Sequence, residues 1–118
     1  MSARQSFKQS FANAFEGLRY IIAHQRNMRI HLAVAVGTAI IAWCFAFNRF
    51  EWIVLVITVT MVLVLEIFNS IIELIVDLLE PRIHGAARIV KDAAAASVLV
   101  ASIASVLIGI LLFWPHLM

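Results

Sequence analysis

Three long apolar runs, separated by short polar segments, dominate the pattern of the chain. The runs cover residues 31–47, 52–79 and 86–114. Each is close to or above the length that a helix needs to cross the hydrocarbon core of a bilayer. Residues 25–31 form a polar connector, residues 48–51 form a turn, and the proline and glycine within residues 80–85 predict a helix break. The pattern predicts an all-α membrane protein with three transmembrane helices.

A different pattern occupies residues 6–24, where apolar side chains recur every three or four positions. They are Phe7, Phe11, Phe15, Leu18 and Ile22. Lys8, Glu16 and Arg19 fall on other faces of a helix with this register. We expect an amphipathic helix in the membrane interface, because the chain has no soluble core against which an ordinary surface helix could pack.

Length and composition narrow the class of protein. With 118 residues and 64% hydrophobic composition, the chain predicts a single small membrane domain over residues 1–118. The formal charge of +2 is too small to suggest nucleic-acid binding, and no basic block interleaved with aromatic residues supports it. The lone Cys44 excludes an intrachain disulfide, and we expect no secretory signal in the polar N-terminal segment. Three helices can hardly enclose a site alone, so we expect an oligomer.

Cationic residues are distributed unevenly between the two ends of the predicted spans. Eight precede the first run or lie between the second and third, namely Arg4, Lys8, Arg19, Arg26, Arg29, Arg82, Arg88 and Lys91. Arg49 is alone at the other end. The positive-inside rule therefore predicts that the N-terminus and residues 78–92 face the cytoplasm and that the C-terminus lies outside.

The second apolar run carries a row of polar side chains near its end. If the run is helical, Glu66, Asn69, Glu73 and Asp77 are three, four and four residues apart and share one face. Residues 52–65 before them carry no charge. The row therefore begins roughly 20 Å along the helix, near the far edge of a bilayer core. An acidic row at this depth is costly unless it faces protein, water or metal, which makes it a candidate functional site.

The residue types in and around this row suit phosphoryl transfer. Carboxylate and amide oxygens are ligands that Mg²⁺ takes when it shares its shell with phosphates, and the cations within residues 82–91 can hold phosphate oxygens. Glu66 lies deepest and is placed to act as general base on a lipid hydroxyl, whereas Glu73 and Asp77 lie nearer to metal and nucleotide. The chain has no GxxxxGK[ST] or GxGxxG loop, which excludes a soluble-type phosphate cradle. A structural polar seam, or ion pairs with the nearby cations, is the alternative.

A two-part motif that begins at Glu66 carries a resemblance to a known family. The motif is EIFNSIIELIVD at residues 66–77, followed by His84 and by KDAAAA at residues 91–96. It resembles the small integral-membrane diacylglycerol kinase family of bacteria, and the match runs from about residue 7 to residue 115. Two segments, RNMRIH at residues 26–31 and FWP at residues 113–115, are similar to the Gram-positive-type branch, whose members phosphorylate undecaprenol.

The resemblance implies a fold, a donor and a set of site residues. It implies a homotrimer of three-span subunits in the bacterial inner membrane, with active sites at subunit interfaces on the cytoplasmic side and MgATP as donor. Glu66 matches the family's catalytic base and Glu73 a metal ligand. The residues that match the family's polar shell around the nucleotide are Asn69, Asp77, His84, Lys91 and Asp92. The family usually has a glutamate where this sequence has Gln25, whose amide oxygen can still coordinate Mg²⁺ but brings no charge.

The predicted function is ATP-dependent phosphorylation of undecaprenol to undecaprenyl phosphate. Diacylglycerol is the alternative acceptor, because aliphatic lining residues fit either chain. A non-enzymatic three-span subunit that conducts protons or binds a cation is the alternative from another class. ATP consumption that depends on added lipid alcohol separates that subunit from a kinase.

Overall fold

Four α-helices make up the part of the chain that the computed structural model describes, residues 6–82 and 84–118. They are α1 (Phe7–His24), α2 (Arg26–Cys44), α3 (Arg49–Leu79) and α4 (His84–Leu117). Helices α2, α3 and α4 are each long and apolar enough to cross a membrane. This confirms the predicted all-α, three-span fold of a multi-pass membrane protein. Two residues used in the sequence predictions lie outside the described residues. Arg4 is one of the cations counted for the orientation, and Ile83 lies within the predicted helix break.

Helix α1 exposes an aromatic ridge. The Ser6 side chain accepts a hydrogen bond from the Gln9 N–H at 3.1 Å and so caps the start of the helix. Phe7, Phe11 and Phe15, four residues apart, are each at least 59% exposed. A ridge of large apolar side chains on one face fits the predicted amphipathic helix at the lipid interface.

A single residue, Gln25, separates α1 from α2. The predicted polar connector over residues 25–31 is wrong, because residues 26–31 form the first turns of α2. Gln25 is extended, with φ −114° and ψ 109°, and this one residue redirects the chain. The connector was predicted from polarity alone, but arginines and an asparagine can begin a helix when their side chains reach water.

Arg29 stabilises this sharp break from the α2 side. Its Nη1 donates to the carbonyl oxygens of Ile22 and Ala23 at 3.0 and 2.9 Å. The Gln25 N–H donates to the carbonyl of Ile21 at 2.8 Å. These bonds satisfy carbonyls that lose their helical donors where α1 ends. The angle between α1 and α2 is thereby fixed by side-chain hydrogen bonds.

Helix α2 ends at Cys44, three residues before the end of the predicted run. Ala46 has a left-handed backbone with φ 53°. Its N–H donates to Trp43 O at 3.1 Å, and the Phe47 N–H donates to Ala42 O at 3.2 Å. This pair of bonds is the Schellman motif, in which glycine usually holds the left-handed position. Alanine stands there instead, so the usual stop signal is missing from the sequence.

Residues 48–51, predicted as a turn, are instead the N-cap and first turn of α3. The Asn48 side chain accepts from the Glu51 N–H at 2.8 Å, and Glu51 Oε1 accepts from the Asn48 N–H at 3.0 Å. This reciprocal pair is a capping box. Glu51 Oε2 also lies 2.7 Å from His116 Nε2. The start of α3 is therefore fastened to the end of α4.

Aromatic packing closes the end of the bundle where α2 joins α3. The ring centroid of Phe47 lies 4.8 Å from that of Phe113 and 5.0 Å from that of His116. Phe47 forms a buried apolar cluster with Ala42 and Leu55. The acidic row lies toward the other end of α3. The tightly packed aromatic residues and the candidate site residues are therefore at different ends of the bundle.

Helix α4 extends beyond the predicted residues 86–114 at both ends. It begins at His84, inside the predicted break, and ends at Leu117. Pro115 lies in its last turns, where its missing N–H removes only one helical hydrogen bond. Helix α3 ends at Leu79, as predicted.

Helix α3 packs against each of the other three helices. Its buried residues lie on one stripe and are Leu55, Thr58, Val62, Glu66, Asn69, Ser70 and Val76. The buried residues of α4 include Ala87, Ala94 and Ala101, at a spacing of seven. Small side chains at this spacing let the two helix backbones approach closely. The polar row is thus carried by the most enclosed helix.

Candidate active site

The polar row of α3 changes from buried to exposed along the helix. Glu66 is 1% and Asn69 is 4% exposed, Glu73 is half-buried, and the side chain of Asp77 is 60% exposed. At about 1.5 Å per residue, Glu66 lies ~26 Å and Asp77 ~42 Å from Arg49 along the axis. Since a hydrocarbon core is about 30 Å thick, a span that enters the membrane at Arg49 places Glu66 just inside the far edge and Asp77 beyond it.

Glu66 is a buried carboxylate without a hydrogen bond. Both of its carboxylate oxygens and Asn69 Oδ1 are inaccessible and have no hydrogen-bond partner among the described residues. The neighbouring Ser70 hydroxyl donates to the Glu66 backbone carbonyl at 3.0 Å and leaves the carboxylate unsatisfied. Buried polar oxygens without partners are costly. A substrate hydroxyl, a proton or a metal ion is the kind of group that satisfies them.

His31 of α2 faces Glu66 across the helix interface. Its Nε2 lies 3.7 Å from Glu66 Oε2, and its side chain is 22% exposed. His31 lies within the predicted polar connector and is not among the predicted site residues. The contact joins two helices, so no spacing along the chain could predict it. The available signal was a titratable residue at the start of an apolar span.

Asp77 and Lys91 meet at the polar end of the row. Lys91 Nζ on α4 donates to Asp77 Oδ1 on α3 at 2.6 Å. Both side chains are partly exposed, so this ion pair adds little to stability. Its consequence is positional, because it holds an ammonium group beside the exposed end of an acidic row. The structure therefore brings together Asp77 and Lys91, two of the predicted nucleotide-shell residues.

Three other predicted site residues have no hydrogen bond or ion pair to the row within the described chain. Asp92 pairs with Arg88 at 3.8 Å, and both side chains are largely exposed. It points away from the row because adjacent residues of a helix face different directions. His84 is exposed at the start of α4. Gln25 lies half-buried between α1 and α2, and its side chain makes no capping hydrogen bond.

The donor set of the row suits Mg²⁺, although one chain does not assemble a full metal site. Within residues 6–82 and 84–118, no three His, Cys, Asp or Glu side chains form a group that could hold a metal ion. Mg²⁺ commonly takes only one or two protein carboxylates and completes its shell with waters and substrate phosphates. The unpaired oxygens of Glu66 and Asn69 show that hard oxygen donors without partners are present.

Comparison with known proteins supports one family. A model of the prokaryotic diacylglycerol kinase family matches residues 12–113. A diacylglycerol kinase from Synechocystis sp. is 38% identical over 110 residues, which are 92% of this chain and 63% of that protein. The undecaprenol kinase of Bacillus subtilis is 33% identical over 111 residues, 94% of this chain and 90% of that protein. A diacylglycerol kinase from Escherichia coli is 31% identical over 104 residues, 87% and 84% of the two chains.

These matches include all of the candidate site. Residues 12–113 contain the buried Glu66, the facing His31 and the Asp77–Lys91 pair. The chain spans less than two thirds of the Synechocystis relative but most of the other two. Since both the family model and these relatives match most of the chain, the protein belongs to the prokaryotic diacylglycerol kinase family.

Proposed function

We propose that the protein is a lipid kinase that transfers the γ-phosphoryl group of ATP to the hydroxyl of undecaprenol. The buried, unpaired carboxylate of Glu66 is the observation that carries this proposal. It lies near the edge of the hydrocarbon core, where the hydroxyl of a lipid alcohol resides. The Asp77–Lys91 pair lies farther along α3, toward water and nucleotide. Family membership supports the reaction class, phosphoryl transfer to an alcohol.

Glu66 acts as the general base in this proposal. Its carboxylate accepts the proton of the acceptor hydroxyl as the hydroxyl oxygen forms a bond to the γ-phosphorus. The bond between the γ-phosphorus and the β,γ-bridging oxygen breaks, and ADP leaves. The protein mainly positions the reactants and stabilises the charge on the phosphoryl oxygens.

Polar residues along α3 and α4 bind the donor. We assign Glu73 and Gln25 as protein ligands of Mg²⁺, which would screen the phosphate charge, with phosphates and water as the remaining ligands. Lys91 neutralises charge on the phosphates, and its bond to Asp77 holds the ammonium in place. The remaining nucleotide-shell assignments are Asn69, His84 and Asp92.

The active site is composite and lies between subunits of a homotrimer. Lys91 is bonded to the row of α3 that holds Glu66, whereas Gln25, His84 and Asp92 make no hydrogen bond or ion pair to that row in the described chain. Exposed apolar faces on α2 and α4 provide surface for neighbouring subunits as well as for lipid. A neighbouring chain can therefore supply what a single chain leaves apart.

The acceptor proposed here is undecaprenol. This choice rests on the segments at residues 26–31 and 113–115, which resemble the Gram-positive-type branch, and on the relative named undecaprenol kinase. Diacylglycerol is the second candidate, because the Synechocystis and Escherichia coli relatives are named diacylglycerol kinases. The apolar residues that contact a lipid chain fit either acceptor.

The protein lies in the bacterial inner membrane, and its site is at the cytoplasmic side. The positive-inside rule supports this orientation, because Arg26, Arg29, Arg82, Arg88 and Lys91 lie at the end of the bundle that holds Asp77. Among the lysines and arginines of residues 6–82 and 84–118, only Arg49 lies at the start of α3, at the opposite end. ATP is available on the cytoplasmic side, so the orientation and the proposed reaction agree.

Transfer of labelled phosphate from ATP to candidate lipids tests the function directly. The purified full chain in detergent micelles receives undecaprenol, diacylglycerol or both in competition. We expect labelled undecaprenyl phosphate, and a higher kcat/KM for undecaprenol than for diacylglycerol. Preference for diacylglycerol would reassign the acceptor. The absence of lipid-dependent ATP consumption would reject the kinase and favour the proton- or cation-handling subunit.

A further inference from the structure

A cavity between α2, α3 and α4 opens beside the His31–Glu66 contact. Its volume is about 220 Å³, and His31 is part of its wall. Most of the remaining wall is aliphatic, with Val34, Ala35, Val62 and Gly109 as examples. The cavity therefore joins the one histidine that faces Glu66 to an apolar space inside the same subunit.

The hydroxyl groups in this wall do not make the cavity polar. Thr38 Oγ1 donates to the carbonyls of Val34 and Ala35, each at 3.0 Å, within its own helix. Thr58 Oγ1 donates to its own helix in the same way, at 2.7 Å. Each donor is already used, so the wall offers a hydrocarbon chain an apolar surface. Apart from His31, the wall has no charged side chain that would bind a nucleotide or an inorganic ion.

The separation of His31 and Glu66 is one that a single hydroxyl oxygen can bridge, once the 22% exposed His31 side chain moves to admit it to the inaccessible Glu66 Oε2. The two facing atoms, Nε2 and Oε2, are 3.7 Å apart, too far for a direct hydrogen bond. An oxygen placed beside the line between them can lie about 2.8 Å from each. It can accept a hydrogen bond from a protonated Nε2 and donate its own proton to Oε2. An alcohol has this pairing of one acceptor and one donor on a single oxygen, as water does, and the alcohol also carries the hydrocarbon segment that the adjoining apolar cavity suits.

We propose that His31 and Glu66 hold the acceptor hydroxyl between them, with the adjoining hydrocarbon segment in the α2–α3–α4 cavity. This inference rests on the proposed function and assigns His31 as a residue that orients the acceptor. The Nε2–H stabilises negative charge on the oxygen as its proton passes to Glu66 and the oxygen bonds to phosphorus. His31 is thus a specificity residue for the lipid and not for ATP.

Two pairs of variants test the proposal in the phosphate-transfer assay. His31→Leu removes the donor, whereas the side-chain amide of His31→Gln keeps an N–H donor. We expect His31→Leu to lower kcat/KM for the lipid alcohol by about 10–100-fold, while KM for ATP changes by less than about twofold. His31→Gln should recover most of this loss. The equivalent substitution His116→Gln, at the opposite end of the bundle, should leave both kinetic constants close to wild type.

A second pair tests the cavity. Ala35→Leu fills part of it and should raise KM for the acceptor by about tenfold, while KM for ATP stays unchanged. Ala33→Leu, on an exposed face of α2, is the matched control and should not change it. Elution volume and thermal unfolding in detergent show whether each variant assembles as the wild type does.

Three results would overturn the inference while leaving the kinase function intact. They are an acceptor kcat/KM unaffected by His31→Leu, equal losses in His31→Leu and His31→Gln, and a KM for ATP that rises together with that for the acceptor. Unchanged acceptor KM in Ala35→Leu would give the cavity another occupant, such as a side chain of a neighbouring subunit. Absence of transfer by the wild type to any lipid alcohol would instead reject the proposed function.

Discussion

Single residues of α3 differ in their chemistry because they differ in depth. Glu66, at 1% exposure, keeps two unpaired oxygens inside the bundle, whereas Asp77, eleven residues later, is largely exposed and bonded to Lys91. Burial keeps water away from the first carboxylate, and exposure leaves the second within reach of a nucleotide. The same residue class on one helix face can thus serve a lipid at one end and phosphates at the other.

Loss of the Lys91 charge is expected to affect the donor and not the acceptor. Lys91→Met removes the ammonium beside Asp77. In the proposed function this is the charge that neutralises the phosphates. We expect kcat/KM for ATP to fall by about 100-fold, with KM for the lipid alcohol within about twofold of wild type. Steady-state kinetics with each substrate varied in turn provide the measurement.

Arg49→Met is the control for this substitution. Arg49 is also a cation at the end of a membrane helix, but it lies at the start of α3, far from the row. Its removal should leave kcat/KM for ATP unchanged. A Lys91→Met enzyme with normal kcat/KM for ATP would remove Lys91 from the nucleotide site.

The sequence predicts the row of α3 because its spacing alone places Glu66 and Asp77 on one face of a helix. The facing His31 could not be found in this way, because its distance from Glu66 depends on how α2 packs against α3. The Asp77–Lys91 bond also crosses between helices, although the sequence had selected Asp77 through the spacing of the row and Lys91 as a nearby cation. Side chains that share a face of one helix were therefore predictable. Ion pairs between the row and the nearby cations were an expected alternative, but the sequence could not assign Lys91 to Asp77 or His31 to Glu66.

Helix ends show the same division between local signals and tertiary ones. The capping box of Asn48 and Glu51 follows a known sequence pattern, so the start of α3 could have been predicted at Arg49. The break at Gln25 has no such pattern. The carbonyls of Ile22 and Ala23, at the end of α1, are bonded by the Arg29 side chain of the next helix. The end of α2 was missed because Ala46 holds a position where glycine is usual.

The left-handed conformation of Ala46 makes a prediction about stability. Ala46→Gly removes the clash of the Cβ atom at φ 53° and should be at least as stable as wild type. The same substitution inside α2, Ala39→Gly, should lower the free energy of unfolding by about 1 kcal/mol. Unfolding of both variants by denaturing detergent in mixed micelles provides the comparison.

A reversed order of the two variants would contradict the assigned turn. If Ala46→Gly were as destabilising as Ala39→Gly, the backbone at residue 46 would not be left-handed. The Schellman motif that ends α2 at Cys44 would then be absent.

At the scale of the whole molecule, the described chain does not bring all of the proposed site residues together. Its α3 row and Lys91 share one face, whereas Gln25 at the α1–α2 break does not contact them through a hydrogen bond or ion pair in the described chain. In the proposed oligomer, whose sites lie between subunits, the missing side comes from a neighbouring subunit. The sequence alone could predict only that three helices are too few to enclose the reaction.

Mixed oligomers test this arrangement. Glu66→Gln and Gln25→Leu subunits, each inactive alone, should regain about one quarter of wild-type activity when mixed equally, because a site then forms from the two intact halves. Glu66→Gln mixed with Lys91→Met should regain none, since both residues lie on the same chain's face. Absence of recovery in the first mixture would place the whole site in one chain, and an active Gln25→Leu protein would remove Gln25 as a ligand.

The turnover of Glu66→Gln tests the central claim most directly. The substitution keeps the size of the buried side chain but removes its ability to accept the hydroxyl proton. We expect labelled-phosphate transfer from ATP to undecaprenol to fall by about 1,000-fold or more, while native mass spectrometry shows the same oligomer as the wild type. Near-normal turnover in a correctly assembled Glu66→Gln protein would contradict the account.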